Sequence, residues 1–330
     1  GQLLKKVYDR WLGADQGSAE SRYLVLSRRS VIVPAINKLD DILDIARVVY
    51  YPNTLKEFLG ERFGLTLDDE QWLFVENNFN YKATDVVEVK DELIDRLVPL
   101  LEWLETLIAD VSRQERAALM RYLESMDLLE RGPGAVVDIG YSGTIQNYLN
   151  VLTGTAVHGY YLITDRKARK VARNHDVLVR GGFYANLQRD EYLPPMYEHS
   201  FDLEKLLSSN DAQIINYSQR EDGEVVANFR ELSSHEKACT DIRNALQAGV
   251  IKYVDDALDI RTRLLPEFVP CLDLARQVYE EFIDNAGQAE TSVLSQFILD
   301  DFYCGRGLFD HFQLYPYRAG WYRGDRGSFW

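Results

Sequence analysis

Cysteine is scarce. The 330 residues hold three, Cys239, Cys271 and Cys304, far apart along the chain. An odd, scattered set argues against a disulfide framework or a CxxC zinc site, and it fits a reducing compartment. The five histidines, His158, His175, His199, His235 and His311, show no HxH or HExxH spacing, which argues against a histidine-built metal centre. No segment has the length and apolarity of a membrane span, and no signal peptide is legible. Basic charge is also short: 37 Lys and Arg stand against 52 Asp and Glu, a net charge of -15. Nucleic acid is therefore excluded as a general partner, since neutralising its phosphates needs a basic face. Anionic membranes are disfavoured for the same reason. A phosphorylated ligand would need local cations or a divalent metal. There is no internal repeat and no low-complexity segment. The chain opens on Gly1-Gln2 instead of Met, as expected of a fragment.

What the chain does have is apolar bulk, 46% of residues, enough for one large domain or two closely packed parts. Its most informative stretch is Val136-Val137-Asp138-Ile139-Gly140-Tyr141-Ser142-Gly143-Thr144-Ile145-Gln146-Asn147. An apolar run ends in an acid, a turn of small residues follows, and helical periodicity begins at Ile145. That order reads as strand, loop and helix N-terminus, where backbone N–H groups and the helix dipole suit a phosphate. Gly140 and Gly143 allow close backbone approach, and Ser142 and Thr144 offer hydroxyls or a cap. Asp138 stands at the strand end where open α/β sheets bind ligands. The alternative for this turn is a simple helix cap.

A second apolar run, Tyr23-Leu24-Val25-Leu26, ends in Ser27-Arg28-Arg29-Ser30. Arginine is a permanently charged fork suited to phosphate oxygens, although an acidic protein also carries solvated Arg pairs. Taken together, the two strand ends suit a ligand with two separate phosphate groups.

Periodicity organises the rest. Residues 3–12 read as a helix and 22–27 as a first strand. From Pro34 to about Met126 the pattern is helical almost throughout, with Pro34 in a first turn and a break near Asp110–Glu115. Arg131-Gly132-Pro133-Gly134 is a turn signal that ends this block. Residues 135–139, 144–153 and 156–164 form a parallel βαβ unit. A strand over 180–185, a helix over 197–208 and a hairpin around Asp222-Gly223 follow. The chain is helical again from about Leu232 to Gly305. The tail, Tyr315 to Trp330, interleaves aromatics with Arg318, Arg323 and Arg326, suited to stacking on sugar rings or to packing on its own domain.

The run Asp138–Gly140-Tyr141-Ser142-Gly143-Thr144 resembles the phosphoribosyl pyrophosphate (PRPP) loop of type I phosphoribosyltransferases, with one acid where that family usually has two. More of the chain is similar to a family of bacterial glycan phosphoribosyltransferases from polysaccharide gene clusters. The segments that carry this are Tyr23–Arg29, Val137–Gln146, His158-Gly159-Tyr160-Tyr161 and Leu203–Ser208. The resemblance implies an α/β fold with a Rossmann-like, mainly parallel core over 1–33 and 131–230. A large helical insertion over 34–130 and a helical C-terminal region with the aromatic and basic tail over 231–330 complete it. It implies transfer of 5-phosphoribosyl from PRPP to a hydroxyl of a lipid-linked or nascent glycan, with release of pyrophosphate. A partner phosphatase would then leave ribofuranose. The chain shows no DxDxT phosphatase motif of its own.

Donor binding is thereby assigned to Ser27, Arg28, Arg29, Asp138, Gly140, Tyr141, Ser142, Gly143, Thr144 and Gln146. The turn at 140–144 fits the monophosphate, and Arg28 and Arg29 fit the pyrophosphate. Mg²⁺ is the expected cofactor, bridging pyrophosphate and ribose with few protein ligands, Asp138 directly or indirectly among them. The catalytic candidates are Arg28 on the leaving group and either Asp138 or Glu204 as general base. The expected location is the cytoplasm, extending to the inner face of the cytoplasmic membrane. The competing readings are a glycosyltransferase with a nucleotide-sugar donor and a non-catalytic module that binds a phosphorylated metabolite. A nucleotide-pathway phosphoribosyltransferase is disfavoured by the large helical additions.

Overall fold

The computed structural model describes residues 1–12, 19–89, 94–129, 134–188, 193–294 and 296–297. The Arg131-Gly132-Pro133 signal, Cys304, His311 and the Tyr315–Trp330 tail lie outside the described residues.

The N-terminal half is mostly helical. In chain order it comprises α1 (Gln2–Leu12), α2 (Arg28–Ile32), α3 (Leu39–Ala46), β1 (Tyr50–Thr54), α4 (Leu55–Phe63), α5 (Asp69–Phe79), β2 (Val86–Val89) and α6 (Val98–Ser125). The strand expected over residues 22–27 is not formed. That stretch has no sheet partner among the described residues; instead the Val25 N–H donates to the Tyr122 hydroxyl (2.9 Å) and its carbonyl accepts from the Tyr217 hydroxyl (2.7 Å). Side chains from α6 and a later strand thus satisfy backbone groups that would otherwise need a ladder. Pro34 sits in a 3-10 turn, Val33–Ala35, not in the first turn of α3. Nor does α6 break near Asp110–Glu115. It runs unbroken for 28 residues, because Ser112 and Glu115 turn inward to polar partners and keep the buried face continuous. The block read as helical also contains β1 and β2, which pair antiparallel. Tyr50–Thr54 is short and holds Pro52 and Asn53, so its periodicity carries little strand signal.

The second half holds the parallel sheet. It continues with β3 (Gly134–Asp138), α7 (Thr144–Thr153), β4 (Val157–Asp165), α8 (Ala168–His175), β5 (Val179–Leu187), α9 (Pro195–Glu198) and α10 (Ser200–Leu207). β6 (Ile214–Gln219), β7 (Val225–Phe229), α11 (Ser234–Ala238), α12 (Thr240–Arg263), α13 (Leu272–Asp284) and α14 (Gln288–Leu294) complete the described chain. β3 pairs parallel with β4, and β4 with β5, so the βαβ unit and the following strand form as expected. β6 and β7 form the antiparallel hairpin around Asp222-Gly223. The described residues thus form a mixed α/β structure with a three-stranded parallel sheet, two antiparallel strand pairs and many helices.

One apolar cluster spans both halves. It runs from Val31, Ile42, Phe58 and Leu104 to Leu149, Val157, Ile214 and Tyr217. A smaller cluster of Ile163, Met196 and Leu203 gathers with Tyr141, Tyr184 and Tyr279. Among the described residues no helix is long and apolar enough to cross a membrane.

Gly159 marks a tight point between α7 and the sheet. A Cβ there would lie 2.1 Å from Gln146 Oε1. Gln146 cannot yield freely, since its Nε2 donates to the Val157 carbonyl (2.8 Å) and its Oε1 accepts from the Tyr161 hydroxyl (2.9 Å). Gly159→Ala is expected to cost about 1–3 kcal/mol by overpacking. Urea denaturation checks this, and an unchanged midpoint would show that Gln146 is free to move.

Candidate functional site

The turn after β3 is built from short-range geometry. Asp138 closes the strand, and its Oδ1 accepts from the Ile139 N–H (2.7 Å). Gly143 is the N-cap of α7 at φ 68°, a left-handed conformation that favours glycine. No side chain caps this helix. α2, α4 and α5 are capped by Ser27, Thr54 and Asp68, whereas α6, α8, α12 and α13 share the start without an N-cap side chain; what sets α7 apart from α6, α12 and α13 is its place after a parallel strand. The first-turn N–H groups of α7, beginning at Thr144, therefore have no side-chain acceptor at Gly143, which is the arrangement that attracts an anion.

The flanking residues of the turn are tied to neighbouring elements. The Ser142 hydroxyl donates to Asp165 Oδ2 (2.5 Å), while Asp165 Oδ1 accepts from the Lys167 N–H (2.8 Å). Tyr141 donates to the Ser200 carbonyl (3.0 Å) and lies against Glu204. Burial first, and then the Glu204 charge, push the Tyr141 phenol far above its ordinary value, so it stays protonated. Asp138 likewise adds to burial in raising the Tyr161 phenol.

Glu204 also faces a cavity of about 290 Å³, which Arg28, Gln213, Arg230, Glu236 and Arg243 help to line. Arg28 and Glu204, two of the three expected catalytic residues, therefore meet at one cavity. Asp138 and the 140–144 turn are not in its lining, but Tyr141 connects the two places through Glu204.

Three expected donor-binding residues are instead committed to the fold. Ser27 is a buried N-cap: its Oγ accepts from the Ser30 N–H (3.1 Å) and donates to the Ile214 carbonyl (2.8 Å). Arg29 is 2% exposed and forms a two-pronged ion pair with Glu115 at 2.8 and 2.9 Å, with a further bond to the Ile215 carbonyl. Arg28 and Arg29 therefore point to different places, one to the cavity and one to Glu115, since a helix directs successive side chains about 100° apart. Gln146 is fully buried in the contacts that pin α7 to the sheet.

The sequence reading missed Asp165, Arg230 and Arg243. Asp165 was legible, since it ends an apolar strand as Asp138 does. The arginines had no local signature, because β7's end and α12 reach the cavity only through the tertiary fold. Arg230 grips Glu236 with both Nη groups. Burial raises the Glu236 carboxyl, but Arg230 outweighs it and holds the net value below the ordinary range.

Among the described residues no group of three or more His, Cys, Asp or Glu side chains could hold a metal. Asp138 by itself fits a metal that arrives with a phosphorylated ligand, not one caged by protein. No protein-family model matches this chain, and no curated protein does.

Proposed function

We propose that the protein is a PRPP-dependent glycan phosphoribosyltransferase with a type I phosphoribosyltransferase-like core. The observation that carries this reading is the uncapped N-terminus of α7, which follows Asp138 of a parallel strand across the short turn 139–143. The 5-phosphate of the donor takes the first-turn N–H groups of α7. Asp138 binds the ribose hydroxyls. Asp138 would help hold a Mg²⁺ ion brought by the pyrophosphate, and the ion would offset part of the donor's charge. Arg28 stabilises the charge that grows on the pyrophosphate as the C1–O bond breaks. Arg29 has no part in this, being spent on Glu115.

The acceptor hydroxyl attacks C1 and its proton passes to a carboxylate. Glu204 suits this role better than Asp138, which is engaged with ribose. The Tyr141 hydroxyl against Glu204 helps fix that side chain. The product is a glycan bearing phosphoribose, which a separate phosphatase would trim. The reaction belongs in the cytoplasm, at the membrane face where lipid-linked glycans grow.

Thermal shift in Mg²⁺ tests the donor. PRPP at about 100 times its dissociation constant should stabilise by about 2.7 kcal/mol, with ribose 5-phosphate weaker and nucleotide sugars silent. A shift with a nucleotide sugar alone would replace this reading by a conventional glycosyltransferase. Binding of PRPP without consumption in the presence of glycan acceptors would leave a non-catalytic module.

A further inference from the structure

Two acids end apolar strands of the parallel sheet, and their settings differ. Asp138 closes β3, an outer strand of the three. Asp165 closes β4, the central strand, and is 7% exposed. A carboxylate at that depth is costly to hold unless its oxygens are hydrogen-bonded. Both oxygens of Asp165 are. Oδ1 accepts from the Lys167 and Ala168 N–H groups at the start of α8 (2.8 and 3.3 Å), and Oδ2 accepts from the Ser142 hydroxyl (2.5 Å).

The backbone of the same residue grips the turn a second time. The β3–β4 ladder ends at Asp138 opposite Tyr161, and the chain then leaves the sheet. It is caught again where the Asp165 N–H donates to the Tyr141 carbonyl (3.0 Å). On the other side, the Arg166 N–H donates to the Leu187 carbonyl (2.9 Å), which fixes this end of β4 to β5. The turn after β3 therefore takes its shape from β4, through one residue that holds it by main chain and side chain. The Ser142 hydroxyl has a single hydrogen, and Asp165 accepts it. That hydrogen is not offered to a phosphate, so Ser142 serves the site by staying in place.

We propose that Asp165 is a positioning residue for the donor 5-phosphate, acting through Ser142 to hold residues 140–144 in the shape that the phosphate takes. The inference rests on the phosphoribosyltransferase reading of the turn. It has a sign of its own. Asp165 is an anion next to a site for an anion, so by charge alone its removal would tighten donor binding. By position its removal weakens binding, because an unheld turn must be ordered by the ligand.

Isothermal titration of the full chain with PRPP in Mg²⁺ separates the two. Asp165→Ala should weaken PRPP by about tenfold, the usual worth of a hydrogen bond to a charged group, although it removes a negative charge. Ser142→Ala should weaken PRPP in the same direction. The double variant should be no weaker than Asp165→Ala, because the two residues act as one. Asp165→Asn should stay close to wild type, since an amide can accept from the start of α8 and donate to Ser142 Oγ. Tighter binding in both Asp165 variants, or additive losses in the double variant, would overturn the proposal. If Asp165→Ala does not fold, Ser142→Ala decides, and an unchanged affinity there overturns it.

Amide hydrogen exchange keeps this apart from the reaction. Asp165→Ala should speed exchange at Tyr141–Ile145 by about tenfold or more relative to α12, and Asp165→Asn should not. If wild type binds no PRPP, the phosphoribosyltransferase reading falls with its ligand, and faster exchange still keeps Asp165 as the residue that holds the turn. If PRPP binds and neither affinity nor exchange responds to Asp165→Ala, the reading stands and the positioning role falls.

Discussion

Arg29→Ala is expected to lower stability by about 3–5 kcal/mol, because it leaves Glu115 charged, buried and without its main partner. The pair is almost wholly enclosed, with side chains 2% and 7% exposed. Glu115 Oε1 also accepts from Asn216 Nδ2 (2.8 Å), so the pair ties α2 and α6 to β6. The loss should therefore be cooperative and not confined to α2. Replacing both members with apolar residues of similar volume should recover much of the loss, since the desolvation cost of the pair disappears with it. Denaturant unfolding of the single and double variants measures both effects. A single variant within 1 kcal/mol of wild type would mean that water reaches Glu115.

Arg28→Ala should behave in the opposite way. Its side chain lines the cavity, one residue before one that is locked in the core. Stability should fall less than in Arg29→Ala, because Arg28 is exposed and Arg29 is buried. If the protein acts as proposed, turnover of PRPP should fall on the order of a hundred- to a thousandfold, the usual loss when a single donor to a developing oxyanion is removed. Donor affinity should fall much less, because the charge on the leaving oxygen appears only as the bond breaks. The comparison of kcat with KM separates these cases. An unchanged kcat would remove Arg28 from the leaving group. The two adjacent arginines thus form an internal control, one read by unfolding and the other by kinetics.

How far the site could be read from residue order is clear from particular elements. The βαβ unit around Asp138 was legible, since its apolar runs alternate with glycine turns and a helical period between Gly134 and Asp165. The β6–β7 hairpin was legible from Asp222-Gly223 for the same local reason. The stretch 22–27 was not. An apolar run shows that a segment is buried but not whether its backbone finds a strand or, as here, the hydroxyls of Tyr122 and Tyr217. β1 was missed because five residues containing Pro52 and Asn53 carry no strand period.

By itself the sequence determined the local conformations: the acid at a strand end, the left-handed Gly143 and the start of α7. These depend on steric limits and hydrogen bonds within a few residues. Only the tertiary structure decided which charges are used up. Arg29 and Arg28 are indistinguishable as sequence, yet Glu115, 86 residues away, takes one of them. Arg230 and Arg243 carry no local signature until the end of β7 and α12 bring them to one cavity. Burial and pairing depend on the whole enclosure, so the fate of a charge is a property of the fold and not of its neighbours in the chain.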